Sequence, residues 1–117
     1  MADISTMLFS KVYPMLIQKV ERKGRAAEEA IGITCWLTGY TPEQLTALDA
    51  DGATYGDFIN NAPAWNPLAV HISGSICGYK VQEIEDPFMK KVRQLDKLID
   101  DLAKGKDMDK IIAKLTK

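Results

Sequence analysis

Histidine occurs once in this chain of 117 residues and cysteine twice, and none of the three has a companion at metal-ligand spacing. His71 therefore stands alone, and Cys35 and Cys77 read as reduced, buried small hydrophobes rather than a redox pair. No metal and no cofactor are expected. Charge of one sign is also lacking: the net charge is −1, so no global field steers the chain toward nucleic acid or an anionic membrane. Long hydrophobic runs are absent, every apolar stretch being broken by Thr, Ser or Gly well short of the roughly 18 residues that a membrane span needs. The opening Met1-Ala2-Asp3-Ile4 carries no basic segment before an apolar run, so no secretory signal is expected and a cytoplasmic location is the default. Strict apolar–polar alternation is missing throughout, which excludes half-buried strands and leaves an all-α fold.

Helix signals are abundant. Phe9, Tyr13, Leu16 and Val20 form one apolar stripe, with a helix that must begin near Ser10 to tolerate Pro14 and that Gly24 closes. Ala26-Ala27-Glu28-Glu29 opens a second helix with acids in its first turn, and Gly39 stops it after Thr38. Thr41-Pro42-Glu43-Gln44 combines an N-cap, a first-turn proline and a capping-box Gln, and Thr54 with Asp57 repeats the device. Asp86-Pro87 begins a long helix whose Phe88, Val92, Leu95, Ile99 and Leu102 form a heptad seam, widened by Leu98. Gly105 ends that helix, and Asp107 caps a final one from Met108 to Leu115.

The chain also echoes itself. Ile33-Thr34-Cys35-Trp36-Leu37-Thr38-Gly39-Tyr40 reappears at a constant offset as Ile72-Ser73-Gly74-Ser75-Ile76-Cys77-Gly78-Tyr79. The spacing predicts one domain, 1–117, made of two pseudo-symmetric helix–Gly-Tyr–helix units over about 16–48 and 55–87, clasped by C-terminal helices over 87–115. In this reading Asn66-Pro67 caps a second central helix ending at Gly78, and small residues (Gly32, Cys35, Ser73, Gly74, Cys77) let the two central helices cross closely. Gly39 and Gly78 are expected at positive φ as helix C-caps.

Four residues are candidates for binding. Tyr40 and Tyr79 follow equivalent helix ends and place paired hydroxyls at a rim, although packing on the core is the simpler role. Trp65, in the proline-bounded loop Asn60 to Pro67, suits an anchor for a partner or a roof on the core. His71 is the one side chain of its type, but Ser73 and Ser75 beside it stand in no nucleophile-elbow pattern. No catalytic constellation is visible, and an enzyme with a site near His71 is the weaker alternative. It predicts a deep pocket where His71 meets an acid from another segment.

A DNA-binding helix-turn-helix about Gly39 is the other alternative. Its second helix, however, exposes Pro42, Glu43, Gln44, Thr46 and Asp49 and no Lys or Arg, so nucleic acid is disfavoured as a partner. The basic residues Lys11, Lys19, Arg22, Lys23 and Arg25 read as a solvated helix face. The favoured expectation is a non-enzymatic binding or interaction module acting as a homodimer through the seam Phe88, Val92, Leu95, Ile99 and Leu102.

Three motifs in order, Trp36-Leu37-Thr38-Gly39-Tyr40, Ile76-Cys77-Gly78-Tyr79 and Val92 through Gly105 (VRQLDKLIDDLAKG), resemble a family of small, mostly bacterial proteins classed only as a domain of unknown function. The likeness runs from about Val12 to Ile111. It implies a bacterial cytoplasmic protein and brings no activity and no site residues with it.

Overall fold

A computed structural model describes residues 4–76 and 78–115; of Tyr79 it describes the backbone, and its side chain and Cys77 lie outside the described residues. The fold is all-α. The helices are α1 (Phe9–Glu21), α2 (Ala27–Thr38), α3 (Pro42–Ala50), α4 (Tyr55–Asn60), α5 (Pro87–Ala103) and α6 (Met108–Leu115). Short 3-10 turns at Ile4–Thr6, Pro67–His71 and Val81–Glu83 and a two-stranded hairpin, β1 (Ser75–Ile76) with β2 (Tyr79–Lys80), complete it.

The helix boundaries follow from local chemistry. At α3 the Thr41 hydroxyl accepts from the Gln44 N–H at 3.2 Å while the Thr41 N–H donates to the Gln44 side chain at 2.9 Å. At α4 Thr54 and Asp57 exchange the same pair of bonds at 3.1 Å. Each box satisfies backbone donors that a helix start otherwise leaves open. α2 ends on Gly39 at φ +83°, and a Cβ there would lie 2.8 Å from the Ala64 backbone nitrogen, so both the conformation and the close approach require glycine. α1 starts at Phe9 rather than Ser10 and keeps Pro14 in its interior. Proline has no N–H, so the Ser10 carbonyl lacks its ordinary partner one turn on.

The second unit does not repeat the first. Where the echo predicts a helix from Pro67 to Gly78, the chain makes a 3-10 turn and then the β1–β2 hairpin. Helix propagation fails because Ile72-Ser73-Gly74-Ser75-Ile76 combines β-branched, hydroxyl and glycine residues, all poor helix formers. Gly74 sits at φ +111°, its N–H donates to the Gln82 side chain at 3.1 Å and its carbonyl accepts from the Val81 N–H at 3.0 Å. Gly78 does have positive φ, +82°, but in the hairpin turn and not at a helix end. The expected crossing of two small-residue helices is absent as well: Gly32 faces the Met108 sulfur of α6.

The core is built on α1, α2 and α5, with α3 and α4 on α1, and α6 on α5. Val92, Leu95, Ile99 and Leu102 are 0% exposed, Leu98 is 1% exposed, and Phe88 packs half-buried against the same cluster. The α5 seam is therefore interior to the chain. Its apolar surface is covered by α1 and α2, which removes it as a dimer interface.

Candidate functional site

Of the four candidates, the Tyr40, Trp65 and His71 side chains are not brought together, and that of Tyr79 lies outside the described residues. Tyr40 is buried, its ring stacked on Phe58 with centroids 5.4 Å apart and its hydroxyl donating to the Phe58 carbonyl at 2.7 Å. Burial, with Asp57 nearby, pushes its phenol up, so Tyr40 is a core group with its hydroxyl already engaged. Trp65 is half-buried and donates its indole N–H to the Gln94 side-chain oxygen at 3.1 Å, while Gln94 donates to the Ala69 carbonyl at 3.2 Å. Lys91 Nζ stands 5.2 Å over the Trp65 ring. The roof role is the one this geometry favours, because Trp65 ties its loop to α5.

His71 ends its 3-10 turn exposed, and Ser73 and Asp101 line the same cleft. The residue types of a nucleophilic triad thus share a cleft. Among the described residues, however, no hydrogen bond joins His71 to either, and Asp101 is held by Lys97 at 2.8 Å. Cys35 is half-buried on α2, and burial, with Glu43 nearby, pushes its thiol up, which disfavours the reactive thiolate. No three His, Cys, Asp or Glu side chains among the described residues converge as a metal-holding group. Among the described residues, no helix is long and apolar enough to cross a membrane.

A cleft of about 370 Å³ lies where α3 docks against α1 and α2. Its floor is apolar: Phe9, Tyr13, Pro14 and Ile17 from α1, Ile31 from α2, Pro42 and Leu45 from α3. Helical spacing explains why these meet. Tyr13 and Ile17 are one turn apart on α1, and Pro42, Leu45 and Asp49 follow one face of α3. The capping box at Thr41 fixes where that face begins. Below the floor, the Tyr13 hydroxyl donates to Thr34 Oγ1 at 2.9 Å, and burial outweighs that bond to push its pKa up to about 12. Tyr13 is thus a neutral, fixed wall.

The rim is made of Ser10, Gln18, Glu21, Thr46 and Asp49. Glu21 and Asp49 are its only charged members, and neither has an ion-pair partner among the described residues. An apolar floor under acceptors, with no cation, is complementary to a cationic donor on an apolar body. The absence of Lys and Arg from the outer face of α3 was visible in the sequence. What was not visible is that Pro42, Thr46 and Asp49, though exposed, border a cleft shared with α1.

The chain belongs to the bacterial family described as uncharacterized protein conserved in bacteria (DUF2200), which matches residues 3–113. Its fold is similar to the crystal structure of the uncharacterized protein SP1917, with a TM-score of 0.93 and 46% sequence identity over 97% of this chain and 93% of that one. No match was found among curated proteins.

Proposed function

We propose that this chain is a non-enzymatic binding module of the bacterial cytoplasm, and that its ligand is a small molecule with an apolar body and a protonated amine head, held in the α1–α2–α3 cleft. The observation that carries the reading is the composition of that cleft: a continuous apolar floor and a rim of hydrogen-bond acceptors whose only charges are Glu21 and Asp49. Its volume falls in the range in which small-molecule sites are found, about 300–1,000 Å³. The free thiol of Cys35 is compatible with a reducing compartment. Self-association through α5 is not part of the reading, because the seam lies inside the chain. Nucleic acid is not favoured either, since α3 presents no cation to a phosphate backbone.

The test is an NMR titration with n-hexylamine and, separately, hexanoate, which share an apolar body and differ in the sign of the head. Methyl resonances of Ile17, Ile31 and Leu45 are expected to move with the amine and not with the carboxylate. The response should weaken about tenfold when Glu21→Gln and Asp49→Asn are combined, since each removes a charge-assisted contact. A response to hexanoate as strong as to the amine, or none to either at millimolar concentration, overturns the reading.

A further inference from the structure

A second cleft, of about 220 Å³, has the opposite character. Its wall is Ile72, Leu98, Ile111 and Leu115, all buried at the junction of α5, α6 and the segment after the Pro67–His71 turn. Around that wall stand Lys106, from the α5–α6 connection, and Lys110 and Lys114, one turn apart on α6. His71 and Ser73 line the same cleft. Five hydrogen-bond donors from three separate parts of the chain therefore converge on one concavity, and a histidine offers an N–H in either neutral tautomer.

The charge in this cleft is only partly neutralised internally. Asp101 is the one acid lining it, and its carboxylate is engaged by Lys97 at 2.8 Å, with Lys106 at 3.9 Å. Lys110 and Lys114 have no carboxylate partner among the described residues. Some cations elsewhere are paired, Lys19 and Lys104 sharing Asp100 at 3.0 and 2.9 Å and Arg25 reaching Asp107 at 3.2 Å, while Lys11, Arg22, Lys23, Lys80 and Lys90 have no ion-pair partner among the described residues either. A solvated lysine face accounts for exposed ammonium groups. It does not account for their convergence with an imidazole and a hydroxyl over a buried apolar wall.

From this convergence we infer that the α5–α6 cleft is a site for a phosphomonoester carried on a short apolar body. A phosphate at neutral pH bears a charge of about −1.5 to −2 and three acceptor oxygens. Three ammonium groups, with the His71 and Ser73 donors, match both its charge and its acceptors, and the Ile72–Ile111–Leu115 wall takes the organic remainder. Lysine meets phosphate as a mobile point charge, so the site demands no fixed fork geometry. This site is independent of the amine cleft, which lies between other helices.

The test uses phenyl phosphate, inorganic phosphate and sodium sulfate at matched ionic strength, followed by amide NMR, with vesicles containing phosphatidic acid as a separate arm. Phenyl phosphate is expected to shift Ile72, Ser73, Ile111 and Leu115 more strongly than inorganic phosphate, and sulfate to leave them nearly unmoved. Replacing Lys110 and Lys114 together by Gln should weaken binding about tenfold or more. Both side chains are exposed, so the fold and the hexylamine response of the other cleft should persist in that variant. The Lys110→Arg and Lys114→Arg pair should retain binding. No phenyl phosphate shift at millimolar concentration, an equal response to sulfate, or binding undiminished in the Gln pair overturns the inference. So does capture on phosphatidic acid vesicles without phenyl phosphate binding, which would make the basic face a lipid surface rather than a small-molecule site.

Discussion

Replacing Gly39 with alanine separates two effects that a glycine at a helix end can combine. The first is conformational: at φ +83° an L-residue loses about 1–2 kcal/mol relative to glycine, offset by up to about 1 kcal/mol because alanine restricts the unfolded chain. The second is contact. A Cβ at position 39 would lie 2.8 Å from both the nitrogen and the Cβ of Ala64 and 3.0 Å from its Cα, and backbone cannot step aside as a flexible side chain does. That stretch is held to the end of α2 by the Ala64 N–H on the Thr38 carbonyl at 3.1 Å and the Asn66 N–H on the Leu37 carbonyl at 2.7 Å. Relief of the clash must stretch one or both, at about 0.5–1.5 kcal/mol each. Gly24 is the internal control, with φ +79° and nothing within 4 Å of its would-be Cβ. Urea unfolding followed by circular dichroism should show Gly24→Ala losing about 1 kcal/mol and Gly39→Ala about 3 kcal/mol, with unchanged m-values. For a chain of 117 residues the larger loss corresponds to a fall of about 12 °C in Tm. Equal losses for the two variants would refute the close-approach argument and leave backbone conformation as the whole effect.

Tyr55 is completely buried and its hydroxyl has no hydrogen-bond partner among the described residues, so Tyr55→Phe should be neutral or stabilise by up to about 1 kcal/mol, whereas Tyr13→Phe, which orphans the Thr34 contact, should destabilise by about that amount. The sign of each is read directly from thermal melts. Burial pushes the Asp100 carboxyl up, but its ion pairs with Lys104 and Lys19 outweigh this and hold it below the ordinary range. A depressed folded pKa gives stability that is present above the unfolded value of about 3.9 and lost as pH falls through the folded one. Asp100→Asn should therefore lower stability at pH 7 and converge on the parent protein in strong acid; a gap that stays constant across that window counts against the ion pairs. With its α5 seam internal, the chain should sediment as a 13.0 kDa species at micromolar concentration. Leu95→Glu should abolish folding instead of merely changing assembly, because it places a carboxylate in the closed core.

The features legible in the sequence are those decided within a few residues. Thr41 with Gln44, Thr54 with Asp57 and Gly39 mark helix ends because the bonds that satisfy those ends are local, and Asp86-Pro87 marks one, with no side-chain cap bond, because proline's fixed φ suits a first helical position. The α5 stripe was equally clear as a stripe. Its covering was not, because an apolar seam shows only that something covers it, and here α1 and α2 from the same chain do so. The echo between residues 33–40 and 72–79 misled for a related reason. Isoleucine, small residues and Gly-Tyr recur in register, yet the second copy has Ser73-Gly74-Ser75 where the first has Thr34-Cys35-Trp36, and that run of poor helix formers lets a hairpin compete.

The two clefts were the least legible, since each is assembled from elements distant in the chain. Pro14 looked like a constraint on where α1 begins, and only the docking of α3 makes it part of a cleft lining. Nothing in the spacing of Lys110 and Lys114 on a short helix marks them out, and they line a cleft only because α6 folds back on the His71 turn. The chain carries net charge −1, and its composition points to no ligand of either sign. The fold sorts those nearly balanced charges in space, leaving unpaired carboxylates at one cleft and unpaired ammonium groups at the other. Mutation of either set should therefore change one ligand response and leave the other intact, a separation that a general surface-charge effect would not produce.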